Sequence, residues 1–117
     1  MNKYAEHQKL LQKTLSLTQQ TFPKIRLFQR HVGMFFTKNG SPIQINHAGM
    51  ADAWGWLPTP EFTLIIEIEF KTGAAVQSPA QKNWQKFCDE MGVLYILCRK
   101  ENDVLEKIRA RLNITLN

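Results

Sequence analysis

The chain has 117 residues, a formal net charge of +5 and a hydrophobic content of 44%. This length suits one compact domain with a real core, so we expect a single domain over residues 1–117. No apolar run approaches the about 20 residues that span a bilayer, and the polar start lacks a signal-peptide pattern, so we expect a soluble, cytoplasmic protein without a membrane partner. The charge suits a polyanionic partner, although dispersed lysines and arginines equally fit a solvated surface. Cys88 and Cys98 lie among apolar residues outside any metal-binding spacing, which predicts buried free thiols.

The first half of the chain predicts one helix and several short strands. Apolar residues recur at near-helical spacing from about Tyr4 to Gln20, ahead of Pro23, and predict an amphipathic first helix. Short alternating segments at 24–30, 33–37 and 42–46 predict a small meander of strands. Residues 50–57 and 63–71 follow on either side of a proline-containing turn, and we expect them to form an antiparallel hairpin.

The second half predicts a helix, a strand and a last helix. Ser78 and Pro79 are typical of a helix start, and Gly92 stands where that helix should end. The apolar run 93–98 predicts a buried strand, and Asn102 or Asp103 would cap the last helix. We therefore expect an α/β fold in which a mixed, mostly antiparallel sheet is flanked by helices, in the order α-β-β-β-α-β plus a C-terminal helix.

The strand over residues 63–71 carries charges where a buried strand should carry none. Because side chains alternate along a strand, Glu67, Glu69 and Lys71 share one face. The other face holds the apolar residues Leu64, Ile66, Ile68 and Phe70. Unpaired buried charge costs several kcal/mol, so the charged face predicts a functional site.

The hairpin brings a further acid to this face. A turn centred between Thr59 and Pro60 would place Asp52 opposite Glu67, with Glu69 on the neighbouring diagonal. Such a cluster of carboxylates needs a neutralising partner, and Mg²⁺ prefers oxygen ligands of this kind. With the lysine alongside, the set suits metal-dependent hydrolysis of a phosphodiester bond.

Three short motifs carry a resemblance to a known family. Gly49-Met50-Ala51-Asp52, then Glu69-Phe70-Lys71, then Gln81-Lys82-Asn83-Trp84 resemble the virus-type replication-repair nuclease (VRR-NUC) domain of the PD-(D/E)XK nuclease superfamily. The resemblance runs from Glu6 in the first helix to the strand at 93–98. It implies a restriction-endonuclease-like core.

The resemblance also implies roles for the motif residues. Asp52 and Glu69 would be metal ligands, Lys71 the catalytic lysine, Gln81 a supporting active-site residue and Glu6 a further acid on the metal. The family pattern implies a Mg²⁺- or Mn²⁺-dependent endodeoxyribonuclease that acts in DNA repair on branched DNA such as four-way (Holliday) junctions. It further implies a homodimer without a small-molecule cofactor, working in a bacterial or phage-infected host cell.

Several of these residues have structural alternatives. Ser78-x-x-Gln81 is also a capping-box pattern, and Glu6 could simply pair with nearby lysines on the helix surface. Glu67 could ligate the metal or pair with Lys71 or an arginine. Trp84 is expected in the core. His7, His31 and His47 lack ligand spacing and are expected to be polar surface residues.

Two other function classes stay open from the sequence. The first is a non-catalytic nucleic-acid-binding module that keeps the fold and uses its basic surface alone. The second is a structural subunit in which Trp54 and Trp56 contact a protein partner. The intact set of Asp52, Glu69 and Lys71 favours the nuclease over the non-catalytic module, since a site that has lost its activity has no reason to retain this cluster.

Overall fold

The structure, a computed structural model, describes residues 2–113. Three helices lie in this range: α1 (Lys3–Thr21), α2 (Pro79–Glu90) and α3 (Asp103–Arg111). The strands are β1 (Arg26–Gln29), β2 (Gly33–Phe36), β3 (Pro42–Ile45), β4 (Ala53–Pro58), β5 (Thr63–Phe70) and β6 (Leu94–Cys98). None of the helices described for residues 2–113 is long and apolar enough to span a membrane.

Four of the strands form a mixed sheet in the order β1-β4-β5-β6. β4 pairs antiparallel with both β1 and β5, whereas β6 runs parallel to β5. A parallel pair needs a crossover connection, and α2 supplies it. The chain is therefore an α/β protein with a mostly antiparallel sheet flanked by helices. Counting only the strands of this sheet, the elements follow the predicted order α-β-β-β-α-β plus a C-terminal helix.

One face of the sheet packs against α1 and α3. The predicted apolar face of β5 is buried here, with Leu64, Ile66, Ile68 and Phe70 all nearly inaccessible. They share a core with Leu11 of α1 and with Val104 and Ile108 of α3. Each buried side chain of this size contributes about 1.5–3 kcal/mol, so this face stabilises the fold.

The opposite face is covered by α2 over part of the sheet. Ser78 caps the helix as predicted: its Oγ accepts a hydrogen bond from the Gln81 backbone N–H at 3.1 Å, and Gln81 Oε1 accepts one from the Ser78 N–H at 2.8 Å. Cys88 packs with Tyr95 of β6, and Trp84 lies against them, half-buried. The helix thereby holds its first turn beside the carboxyl end of β5.

Both cysteines are buried and free, as predicted. Burial raises the pKa of Cys88 and of Cys98 to about 11. At neutral pH both therefore remain thiols, which agrees with a packing role and leaves no cysteine nucleophile in the described residues.

The predicted meander is wrong, although its three strands form. β1 pairs with β4, and β2 pairs only with β3 in a separate two-stranded sheet. The apolar residues Ile25 and Leu27 draw β1 into the main core. The strands β2 and β3 contribute no residue to that core and extend from the molecule as a hairpin.

The β4–β5 hairpin forms with a register two residues away from the predicted one. Its loop has four residues, Thr59 to Phe62, and is closed by the Thr59 N–H and hydroxyl, which donate to the Phe62 carbonyl oxygen at 2.7 and 2.6 Å. The turn is therefore centred between Pro60 and Glu61, one residue later than predicted. Trp54, rather than Asp52, therefore lies opposite Glu67, and the same register continued by two residues brings Asp52 to Glu69.

Candidate metal and catalytic site

Asp52, Glu69 and Lys71 come together where the carboxyl end of β5 meets the residues just before β4. A cleft of about 740 Å³ opens at this point. Residues from α1, from the loop after β5 and from the first turn of α2 complete its walls: Lys3, Tyr4, Glu6, His7, Thr72 and Gln81. The three residues with the strongest sequence signal thus share one cleft.

Asp52 is held in place by two donors that are far apart in the sequence. Its Oδ2 atom accepts a hydrogen bond from the Phe70 N–H at 2.9 Å and lies 3.0 Å from His7 Nε2. The Asp52 carbonyl oxygen also accepts from the Arg30 N–H at 2.7 Å. Within residues 2–113, both hydrogen bonds to the Asp52 carboxylate end on Oδ2. The half-buried Asp52 carboxylate also lies on the wall of the cleft.

Glu69 is buried and only half-satisfied. Its Oε2 atom accepts a hydrogen bond from Gln81 Nε2 at 3.2 Å and lies 3.5 Å from Lys71 Nζ. Its Oε1 atom is buried and has no hydrogen-bond partner among the described residues. Burial, followed by the negative charge of Asp52, raises the pKa of Glu69 to about 8, although Lys71 acts in the opposite direction.

These two carboxylates fit a hard divalent cation. An unpaired buried oxygen costs about 1–3 kcal/mol, and a cation beside Asp52 and Glu69 would remove that cost as well as their mutual repulsion. No set of three or more His, Cys, Asp or Glu side chains within residues 2–113 forms a complete metal cage. Mg²⁺ does not need one, since it typically binds one or two carboxylates and takes its other ligands from water and substrate phosphates.

Glu67 does not converge with Asp52, and this part of the sequence prediction is wrong. Arg30 binds both carboxylate oxygens of Glu67, at 2.6 and 2.8 Å, and Trp84 Nε1 donates to Oε1 at 2.9 Å. Both oxygens are thus used by neighbouring side chains, as the arginine-pairing alternative expected. We assign Glu67 a structural role, since it connects β5 to α2 and to the segment just after β1.

Gln81 and Glu6 take different positions relative to the two carboxylates. Gln81 has both of the roles that the sequence left open, because its Oε1 caps α2 while its Nε2 donates to Glu69. Glu6 is exposed on α1 and lines the rim of the cleft. Its role as a further metal ligand stays a prediction.

His7 is a site residue that sequence reasoning missed. It was expected on the polar surface, but it is half-buried against Asp52 and packs edge-on at 6.1 Å between ring centroids with Phe70. The signal was present, since His7 continues the buried helical stripe of Leu11, Thr14 and Thr18. His31 and His47 are exposed, as expected.

Comparison of the chain with protein-family models, with curated proteins and with solved structures found no match. The family resemblance therefore depends on the sequence motifs alone. A fold can host many activities, so the function has to be inferred from the geometry and chemistry of the cleft itself.

Proposed function

We propose that this protein is a metal-dependent DNA endonuclease that hydrolyses phosphodiester bonds, with branched DNA such as four-way junctions as its substrate. One observation carries the proposal: the buried Oε1 atom of Glu69 has no hydrogen-bond partner within residues 2–113, and Asp52 and Lys71 share the cleft with it. A purely structural salt-bridge cluster would be expected to satisfy this oxygen.

The proposed cofactor is Mg²⁺ or Mn²⁺, which Asp52 and Glu69 would hold. When bound, such an ion supplies a Lewis acid that polarises the phosphate and lowers the pKa of water. The protein fixes its ligands beforehand, because His7 and the Phe70 N–H hold Asp52 while Gln81 holds Glu69. Supporting contacts of this kind typically change metal affinity or activity 10- to 100-fold.

Lys71 would act on the substrate rather than on the metal. Its ammonium lies 3.5 Å from Glu69 and is mostly shielded from solvent at the wall of the cleft. A positive charge in such a place stabilises the negative charge that develops on a phosphate oxygen, or orients the attacking water. Lys3 lines the same cleft and adds a second attraction for the DNA backbone.

The arrangement of the sheet supports a restriction-endonuclease-like, VRR-NUC-type core. The order α-β-β-β-α-β places the two acids at the adjacent ends of β4 and β5 and the supporting glutamine at the start of the following helix. In this proposal the β2–β3 hairpin is an insertion between the first two core strands. The fold proposal and the nuclease proposal are connected only through the site that this fold positions.

We further propose that two copies act together on a junction. One chain of this size offers one such cleft, whereas resolving a four-way junction takes two symmetrical cuts. Sedimentation velocity at micromolar protein should show a homodimer. A strict monomer, with or without junction DNA, would contradict this part of the proposal.

The variant Lys71→Ala tests the catalytic assignment. We expect single-turnover cleavage of an end-labelled four-way junction to fall by at least about 100-fold, because a charge-stabilising donor has been removed. Junction affinity measured in EDTA should change by less than about threefold, since one phosphate contact among many is lost. Lys107→Ala is the matched control, because Lys107 is an exposed lysine on α3, away from the cleft.

The other outcomes identify the alternatives. A wild-type rate in Lys71→Ala would reject this lysine as catalytic. Binding of every DNA substrate without cleavage in Mg²⁺ or Mn²⁺ would favour the non-catalytic binding module. A protein that binds no nucleic acid would favour the structural subunit.

A further inference from the structure

The β2–β3 hairpin is apolar on both faces, yet no other helix or strand within residues 2–113 covers it. Along the hairpin Met34, Phe35, Phe36 and Ile43 are 53%, 48%, 69% and 43% exposed. The two strands pack on each other and, within residues 2–113, on no other helix or strand to a comparable extent. An isolated two-stranded hairpin is marginally stable in water, and exposed apolar patches typically mark interaction sites. The hairpin therefore needs a binding partner.

The hairpin is closed at its tip and anchored at its base. At the tip, the Thr37 N–H donates to the Ser41 carbonyl oxygen at 2.9 Å, and the Ser41 N–H donates to Thr37 Oγ1 at 3.1 Å. At the base, Asn46 Nδ2 donates to the His31 carbonyl oxygen at 2.6 Å. The apolar side chains are thus presented on a defined arm.

The arm is directly connected to the candidate site. Arg30, three residues before β2, donates its N–H to the carbonyl oxygen of Asp52 and its side chain to that of Ala51. On the other side, the chain runs from the end of β3 through Gly49 to Asp52 within seven residues. A partner bound to the arm would therefore lie beside the segment that positions the Asp52 carboxylate.

The charge of this part of the chain selects the chemistry of the partner. Residues 31–51, which comprise the arm and the chain up to Asp52, contain no aspartate or glutamate. Lys38, at the tip, is the single charged residue between residues 33 and 45. A segment with charge of one sign only favours a polyanion over a protein surface of mixed charge.

The position of the aromatic residues favours insertion between bases. Phe35 lies opposite Ile43, and Phe36 lies opposite Pro42, so the two phenylalanines occupy opposite faces of the arm. Phe, Ile, Met and Pro are among the residues that proteins insert between base steps, and the arm exposes residues of this kind on both faces.

We propose that the β2–β3 hairpin is a nucleic-acid-binding arm that inserts Phe35 and Phe36 among unstacked bases, as at a branch point. The arm would hold a branched substrate so that a nearby phosphodiester bond enters the cleft of Asp52 and Glu69. The identity of the partner as nucleic acid rests on the proposed function. Discrimination between branched and linear DNA by the arm is an additional claim.

Binding measurements in EDTA test this claim without cleavage. Fluorescence anisotropy would compare a labelled four-way junction with a linear duplex of the same arm sequence, for the full chain and for Phe35→Ala and Phe36→Ala. Loss of one stacked base contact should weaken junction binding by at least about fivefold while linear-duplex affinity changes by less than about twofold. Phe62→Ala is the matched control, since Phe62 is 50% exposed in the β4–β5 loop, and it should match the wild type on both substrates.

A second readout confirms that the aromatic residues reach the bases. The fluorescence of 2-aminopurine placed at the branch point should change when wild-type protein binds. The Phe36→Ala variant should abolish most of that change. Because Phe36 is 69% exposed, its truncation should leave the thermal unfolding midpoint within about 2 °C of the wild type.

Three results would overturn the proposal. The first is wild-type junction preference in both arm variants, and the second is equal weakening on junction and linear duplex. The third is a change from dimer to monomer in sedimentation velocity caused by the arm variants, which would assign the hairpin to a second copy of the chain. Arm-dependent junction binding by a protein that cuts no DNA would reject the nuclease and keep the arm, whereas wild-type substrate preference in cleaving arm variants would reject the arm alone.

Discussion

Glu69 gives the metal-free protein a pH-dependent stability. Its pKa of about 8 in the fold, caused first by burial and then by Asp52, exceeds the ordinary value of 4.5. Because the folded state binds this proton more tightly than the unfolded chain, the stabilisation is fully present below pH 4.5 and is lost as pH rises through 8. We therefore expect Glu69→Gln, which cannot ionise, to gain stability relative to the wild type over this pH range.

Urea unfolding in EDTA at pH 5, 7 and 9 measures this effect. The difference in unfolding free energy between Glu69→Gln and the wild type should grow with pH and reach the order of a few kcal/mol at pH 9. Glu106→Gln, an exposed carboxylate on α3, should give a nearly constant difference. Parallel pH profiles for the wild type and Glu69→Gln would show that Glu69 has an ordinary pKa.

His7 is expected to act by positioning Asp52. In His7→Ala the Asp52 carboxylate loses one of its two donors, so metal affinity should fall about 10-fold or more. The expected signature is a higher Mg²⁺ concentration for half-maximal cleavage, with DNA affinity in EDTA unchanged. His7→Gln, which can still donate a hydrogen bond, should recover part of the loss. A Mg²⁺ dependence equal to that of the wild type in His7→Ala would contradict this role.

The sequence predicted those site residues that can be recognised from their immediate neighbours in the chain. Glu69 and Lys71 stand out because charged residues interrupt an apolar strand and alternation places them on one face. The contact of His7 with Asp52 joins residues 45 positions apart, and its side-chain direction depends on how α1 packs on the sheet. The pairing of Glu67 with Arg30 was open for the same reason, since it depends on which strand lies beside β4.

At the scale of elements, Gly49 allows the segment that leads to Asp52 to lie against α2. Its φ of +89° lies in the left-handed region, and a Cβ atom there would overlap the carbonyl oxygen of Ala80 in the first turn of α2. Backbone strain of this kind costs about 1–3 kcal/mol before the overlap is added. Gly49→Ala should therefore both destabilise the fold and displace Asp52, three residues later.

Gly92→Ala separates these two effects. Gly92 has a similar φ of +79° but open space around it, so its substitution costs backbone strain alone. We expect Gly49→Ala to lose more unfolding free energy than Gly92→Ala in urea, and only Gly49→Ala to lose most cleavage activity. Equal losses of stability with full activity in both variants would show that the contact with α2 does not position the site.

Strand pairing was predictable only where the chain makes a tight connection. The β4–β5 hairpin was expected from two strands separated by a proline-containing turn, but the hydroxyl of Thr59 closes a longer loop and shifts the register by two residues. β1 was assigned to a meander because it precedes β2 closely. Its partner β4 lies beyond the hairpin, and the burial of Leu27 in the main core decides that choice.

At the scale of the whole molecule, the two faces of the sheet have different roles. The face toward α1 and α3 is apolar and holds the fold, while the face toward α2 carries the buried charges and the cleft at its end. Alternation along β5 made this division predictable, whereas helical spacing, capping residues and the apolar run at 93–98 predicted the α/β class and the helix order. The exposed arm became informative only once the structure showed that it is separate from the main sheet and that the chain on either side of it leads to Arg30 and Asp52.

The central claim is that Asp52 and Glu69 support metal-dependent cleavage of DNA. The most direct measurement is cleavage of an end-labelled four-way junction by the wild type and by Asp52→Asn, purified in parallel, in Mg²⁺, Mn²⁺ or EDTA. We predict cutting by the wild type with either metal, no cutting in EDTA, and at least about 100-fold slower cutting by Asp52→Asn. Cutting by the wild type that persists in EDTA, equal cutting by Asp52→Asn, or binding without any cutting would contradict the account.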